Sequence, residues 1–363
     1  MNETPRLLQT LPARPRIAVF RALQLGDMLC SVPALAALRA ALPAAHVTLI
    51  GLPWARRFAE RFGVLIDDFL AFPGAPGFPE QTDSSPQTRA AFFAAARTRR
   101  FDLAIQMHGS GERSSAIVTM LGARHDAGFC IRPPQTDVRH FMRWPDTLPE
   151  AERLTELIHF LGAPPLCRHV PFPLHAGDYS ECSGLFARNG IDPERLICVH
   201  PGARFESRRW PAARFAMVAD ALAAEHWQIA LTGTAAEALL TAAVRLKSAC
   251  RPLDLTGATS LGGLAVLLKC ARLLICNDTG VSHLAAAVGA RSVVIACGSD
   301  ARRWAPQDRS LHRTLAAYPR CRPCMHEICP IAHPCATAIT PRQVIDAARL
   351  QLGASAGRRA KAA

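Results

Sequence analysis

The seven residues Asn277-Asp278-Thr279-Gly280-Val281-Ser282-His283 bring together a carboxylate, a hydroxyl, a glycine and an imidazole. They follow an apolar run, 272–276, that reads as a β-strand, and they open an Ala/Leu-rich stretch that reads as a helix. The first N–H groups of a helix have no partner inside it, so they form a ready anion site. His283 follows Thr279 by four residues, which puts both on one helical face. Backbone N–H groups, the Thr279 hydroxyl and the His283 imidazole could together hold a diphosphate. The competing reading is a capped helix with a satisfied histidine.

Other strand ends carry chemistry too. Leu25-Gly26-Asp27 follows the β-rich run Arg16–Phe20. Gly26 permits close backbone approach, and Asp27 offers a carboxylate as general base. Alternatively, Asp27 is the N-cap of the helix that follows. His200-Pro201-Gly202-Ala203 follows the run Leu196–His200 and leads to Ser207-Arg208-Arg209-Trp210-Pro211. Guanidinium groups bind phosphate bidentately, so Ser207 and Arg208 are phosphate candidates; a solvated Arg pair is the alternative. Glu237, in Thr232-Gly233-Thr234-Ala235-Ala236-Glu237, could accept from a ribose or base, or could simply complement a helix dipole.

Cys321, Cys324, Cys329 and Cys335 fall within fifteen residues, with His326 and His333 between them. Four thiols so spaced suit a structural Zn or Fe site, although the spacing is not a standard finger pattern. A reduced loop packed by its own cysteines is the alternative. The other cysteines, such as Cys198, Cys270, Cys276 and Cys297, sit singly in apolar runs and read as small buried hydrophobes. There is no phosphate-loop motif, no G-x-G-x-x-G, no G-x-S-x-G and no H-E-x-x-H. Hydride transfer, phosphate-loop NTP hydrolysis and serine-hydrolase chemistry therefore lose support.

These residues need elements that bring them to strand ends. Runs at Arg16–Phe20, His46–Gly51 and 101–107 alternate with helical stretches. The alternation restarts with Leu196–His200, 227–232, 272–276 and Ser292–Ala296. This is the pattern of α/β structure with parallel sheets. Segments 72–88 and 131–150 read as loops, and the proline-dense 163–178 as a linker. The expected domains are 1–170 and 171–350, followed by a basic flexible tail, 351–363.

The 363 residues carry 42 Lys+Arg against 29 Asp+Glu, a net +13, and almost all the bases are arginine. Such an excess suggests an anionic partner or an arginine-rich compositional bias. Residues 171–363 hold the larger share. No apolar signal segment and no long apolar span is read, so a cytoplasmic protein is expected. Aromatic residues are 6% and no nucleic-acid-binding spacing occurs, so nucleic acid is not an expected partner.

Taken together, the segments 21–35, 200–211, 231–237 and 277–290 resemble glycosyltransferase family 9, the ADP-heptose:lipopolysaccharide heptosyltransferases. The resemblance runs from about residue 16 to residue 344. It implies the GT-B architecture, two Rossmann-like domains facing across a cleft. The first would bind acceptor, the second a nucleotide-diphosphate sugar. It implies inverting transfer with no catalytic cofactor and with Asp27 as general base. Ser207, Arg208, Glu237, Asp278, Thr279, Gly280 and His283 would then bind the donor. The family often has Lys where Arg208 stands, so a planar fork replaces a point charge. Gly26 would lie on the acceptor side. So would Arg113, in the segment 108–113 after the third strand, as a contact to an acidic glycan. The implied acceptor is a phosphorylated glycolipid, which would bring the protein to the inner membrane face.

Overall fold

The computed structural model describes residues 6–80, 84–132, 138–165 and 170–359. The chain divides into two compact units, 1–170 and 171–363.

The first unit is built on strands β1 (Arg16–Phe20), β2 (His46–Gly51), β3 (Asp68–Ala71), β4 (Leu103–Gln106), β5 (His125–Cys130) and β6 (Phe141–Arg143). They form one parallel sheet in the order β3-β2-β1-β4-β5-β6. Helices cover both faces, which is why β1, β2 and β4 are nearly continuous apolar runs rather than alternating ones. One face holds an aromatic cluster of Phe20, Phe72, Phe78, Phe92, Phe93 and Phe101. Phe20 meets Phe72 edge-on, with centroids 5.1 Å apart at 82°, the geometry the ring quadrupole favours. Each such buried side chain contributes about 1.5–3 kcal/mol from burial. Helices α1 (Leu25–Ala41) and α2 (Glu150–Leu161) pack on each other.

The second unit has β7 (Leu196–His200), β8 (Gln228–Leu231), β9 (Leu253–Asp254), β10 (Leu273–Asn277), β11 (Ser292–Ala296) and β12 (His312–Ala316). Its parallel order is β12-β11-β10-β7-β8-β9. Counted from its own first strand, this repeats the order of the first unit, 3-2-1-4-5-6, the doubly wound dinucleotide-binding order. In each sheet the order reverses beside the first strand: between β1 and β4, and between β7 and β10. Ile197, Val199, Ile275, Val293 and Ile295 of the sheet share a core with Phe215 and Leu222 of α3 (Ala212–Ala224) and Val344 of α5 (Pro341–Arg359). The eight-residue α4 (Gly280–Ala287) follows β10.

Several expectations need correction. The loop expected at 131–150 contains a 3-10 turn, Val138–His140, and the strand β6. The loop expected at 72–88 yields at its end to a helix, Pro86–Thr98, whose N-cap Ser85 accepts from the Thr88 N–H. The helix Ala176–Asn189 begins inside the expected linker; Asp178 accepts from the His175 N–H there (2.8 Å). Of the expected tail, α5 takes residues to Arg359, and 360–363 lie outside the described residues. Among the described residues no helix is long and apolar enough to cross a membrane.

Candidate active site

In open α/β sheets ligands bind beyond the carboxyl ends of the strands where the strand order reverses. In the first unit, Asp27 follows β1 and the segment 108–113 follows β4, its neighbour. Gln24, not Asp27, is the N-cap of α1, with extended backbone and no side-chain cap bond. The capping alternative for Asp27 is thus corrected: it is the third helical residue, partly exposed, beside the buried Gly26.

Arg21, which sequence reading passed over, organises this end of the sheet. Its fully buried guanidinium donates from Nε to the Asp27 carbonyl (2.9 Å) and from Nη1 to the Met107 carbonyl. Its Nη2 donates to Glu150 Oε1 (3.0 Å), and Arg153 Nη1 donates to the other carboxylate oxygen (3.0 Å). His108 is half-buried, stacks on Phe20 and accepts from the Ala22 N–H (3.3 Å). Burial first, and Arg21 next, push its pKa down to about 3, so it is neutral. Arg113 is exposed, and its Nη1 donates to the Gly77 carbonyl (2.7 Å). A cavity of about 660 Å³ lies beside this segment, lined by Glu112, Ser115, Thr119, His125, Asp126 and Arg132 among others. Its size suits a small ligand.

In the second unit the segments after β7 and β10 meet through Asn277. This buried amide accepts from the Trp210 N–H (2.9 Å) and donates to the Pro201 carbonyl (2.7 Å). Trp210 in turn donates from its indole to the Ile339 carbonyl (3.0 Å). Asp278 accepts from the Ser299 hydroxyl (2.5 Å). Thr279 is the N-cap of α4 in extended conformation with no side-chain cap bond, and Gly280 is the first helical residue. His283 is one turn on, partly exposed, with its ring edge-on to Trp304.

Ser207 and Arg208 lie in a 3-10 turn, Glu206–Arg208. Ser207 is buried. Arg208 Nη2 donates to the Cys324 carbonyl (2.6 Å), while its buried Nη1 has no hydrogen-bond partner among the described residues. An unpaired buried donor is costly unless something arrives to accept from it. Burial lowers the Arg208 pKa, and Cys324 and Asp278 act against that. Glu237 accepts from both the N–H (2.8 Å) and the hydroxyl (2.9 Å) of Thr234, as a capping box does. Its carboxylate also packs against Gly202: a Cβ there would lie 1.9 Å from Glu237 Oε1. So the fold gathers Ser207, Arg208, Asp278, Thr279, Gly280 and His283 on the segments after two adjacent strands, β7 and β10. Glu237 follows the next strand, β8.

The four cysteines line one small cavity with His326 and His333. Cys335 is buried in the core beside Trp210, Cys324 and Cys329 are half-buried, and Cys321 is exposed. Among the described residues no three His, Cys, Asp or Glu side chains gather into a metal-binding group. Cys329 Sγ accepts from the His333 N–H (3.2 Å).

The sequence profile of Glycosyltransferase family 9 (heptosyltransferase) matches residues 89–334, well over half the chain. The chain belongs to glycosyltransferase family 9. It is therefore a glycosyltransferase. It is 26% identical over 282 residues to lipopolysaccharide heptosyltransferase 2 of Escherichia coli (strain K12), covering 72% of this chain and 77% of that protein. Its fold is similar to that of a family 9 glycosyltransferase from Veillonella parvula, with TM-score 0.76 and 22% identity over 93% of this chain and 97% of that one. It is also similar to E. coli ADP-heptose lps heptosyltransferase II, with TM-score 0.70 and 21% identity over 93% and 98%. Arg21 and Ser299, which hold the proposed groups, carried no local sequence signal, because the partners Met107, Glu150 and Asp278 stand 86, 129 and 21 residues away.

Proposed function

We propose that this family 9 enzyme moves a heptose-type sugar from a nucleotide-diphosphate donor, ADP-heptose, to a phosphorylated lipopolysaccharide-core glycan. The observation that carries the reading is the placement of both candidate groups at the strand-order reversals of two sheets with one topology. The names of similar proteins supply the sugar and acceptor class. The second unit binds the donor and the first the acceptor. Because the acceptor is lipid-linked, the enzyme works at the membrane surface that carries it.

The transfer inverts the anomeric carbon. The acceptor hydroxyl attacks from the face opposite the diphosphate, and the proton goes to the Asp27 carboxylate as the new C–O bond forms. The bond from the anomeric carbon to the diphosphate oxygen breaks through an oxocarbenium-like state. The charge left on the diphosphate is met by Arg208 Nη1, the first N–H groups of α4, the Thr279 hydroxyl and His283. These groups do the work of a divalent ion. Asp278 accepts from the donor sugar and Glu237 sits toward the adenosine.

Asp27→Asn should lower kcat by about 10²–10⁴-fold with unchanged circular dichroism. Near-wild-type turnover would refute the base assignment. Excess EDTA should leave the rate unchanged. In a thermal-shift series, ADP and ADP-heptose should stabilise the protein more than UDP or GDP and their sugars. The reverse order would move the enzyme to another donor.

A further inference from the structure

The segment 317–335, which carries the cysteines, holds none of the proposed catalytic or binding groups. Its hydrogen bonds point to a different role. Two loops of the second unit carry or hold proposed donor groups: 206–208, with Ser207 and Arg208, and the stretch after β11, whose Ser299 donates to Asp278. The cysteine segment is bonded to both.

On the first loop, the Ser207 N–H donates to the Glu327 carbonyl (2.9 Å) and its hydroxyl donates to the His326 carbonyl. The Ser207 carbonyl meets His333 Nε2 (2.8 Å). Arg208 Nη2 donates to the Cys324 carbonyl (2.6 Å). On the second loop, the Cys324 N–H donates to the Gly298 carbonyl (2.9 Å). Arg322 Nε donates to the Ser299 carbonyl (2.6 Å), and its Nη1 to the Ala317 carbonyl (2.5 Å). Gly298 makes the close approach possible: its φ is +68°, and a Cβ there would stand 3.1 Å from Cys324 Sγ and 3.2 Å from the Ser207 carbonyl oxygen.

We propose that segment 317–335 is a brace that sets the donor site, with Arg322 and His333 as positioning residues. Arg322 acts on Asp278 through Ser299. His333 acts on Arg208 through Ser207. The brace fixes where Arg208 Nη1 points by occupying Nη2 with a main-chain carbonyl, so one edge of the guanidinium is held and the other is presented. This inference rests on the reading that Arg208 and Asp278 bind the donor.

The test uses the full chain and compares Arg322→Gln, Arg322→Lys, His333→Gln, Ser299→Ala and Arg208→Gln. The readouts are ADP affinity by calorimetry, KM for each substrate, kcat and melting temperature. Arg322→Gln and His333→Gln should weaken ADP binding and raise the donor KM about tenfold, since small misplacements of a positioned group carry large penalties. The acceptor KM should not move, and Arg322→Lys should recover part of the loss. Lower melting temperatures with ADP affinity and donor KM within twofold of wild type would overturn the proposal. If Arg322→Gln fails to fold, Ser299→Ala tests the same path to Asp278 by the same readouts. Should Arg208→Gln leave ADP affinity intact, the donor reading itself falls. If Arg208→Gln weakens it while the Arg322, His333 and Ser299 variants do not, only the brace falls.

Discussion

One half-buried and one buried imidazole set how single residues of this protein respond to acid. His108 in the first unit and His312 in the second are pushed down to about 3 and about 4, burial being the first cause in each. His312 is held through Nδ1 by the Ser292 hydroxyl (2.9 Å). Unfolded histidines take up protons near pH 6.5, whereas these native ones stay neutral until pH 4 or below. Between those values the unfolded state binds more protons, so stability is intact above about pH 6.5 and is lost as pH falls toward 4. Each group contributes at most about 1.4 kcal/mol per pH unit within its window. Melting temperature measured from pH 7 to pH 4.5 should therefore drop, and His312→Asn should flatten the drop. A variant with the wild-type pH slope would contradict this account.

The same contrast between local and distant partners governs the elements. Arg21 joins β1 to α1, β4 and α2 from a fully buried position. Arg21→Met removes one of the two buried guanidinium groups paired with Glu150, leaving only Arg153, and strips three carbonyl or carboxylate acceptors at once. Breaking such a buried pair costs about 3–5 kcal/mol, to be read as a lower urea midpoint at unchanged slope. The bounds of β1, β2, β7 and β11 were legible because strands buried on both faces are unbroken apolar runs. The edge strands β3, β6, β9 and β12 are short or half-polar and gave no such run. The Asp278–His283 group was legible because its members are neighbours in the chain. Arg21 was not, since its partners Met107 and Glu150 stand 86 and 129 residues away. Asn277 was read only as part of a motif, although its partner Trp210 is 67 residues off. The start of α1 fell two residues before Asp27, because the extended backbone of Gln24 sets it. The cysteine group was legible for the same reason as the Asp278–His283 group: its members are neighbours in the chain, and the four line one small cavity, although Cys335 also belongs to the core.

For the whole molecule, each unit has its own sheet and its own buried core. On the proposed division of labour, residues 171–363 expressed alone should unfold cooperatively and retain ADP binding by calorimetry. Failure of the folded fragment to bind ADP would place part of the donor site in the first unit. The +13 charge acquires a narrower meaning, since the proposed use of an anionic ligand requires only a few of the arginines. The repeated strand order has a practical corollary for recombination. On the proposed division of labour, two halves with separate cores should be exchangeable between family members at the 170/171 boundary, as cassettes. A chimaera built there should inherit its acceptor preference from one parent and its nucleotide preference from the other, which turns substrate choice in this enzyme into two independently engineerable traits.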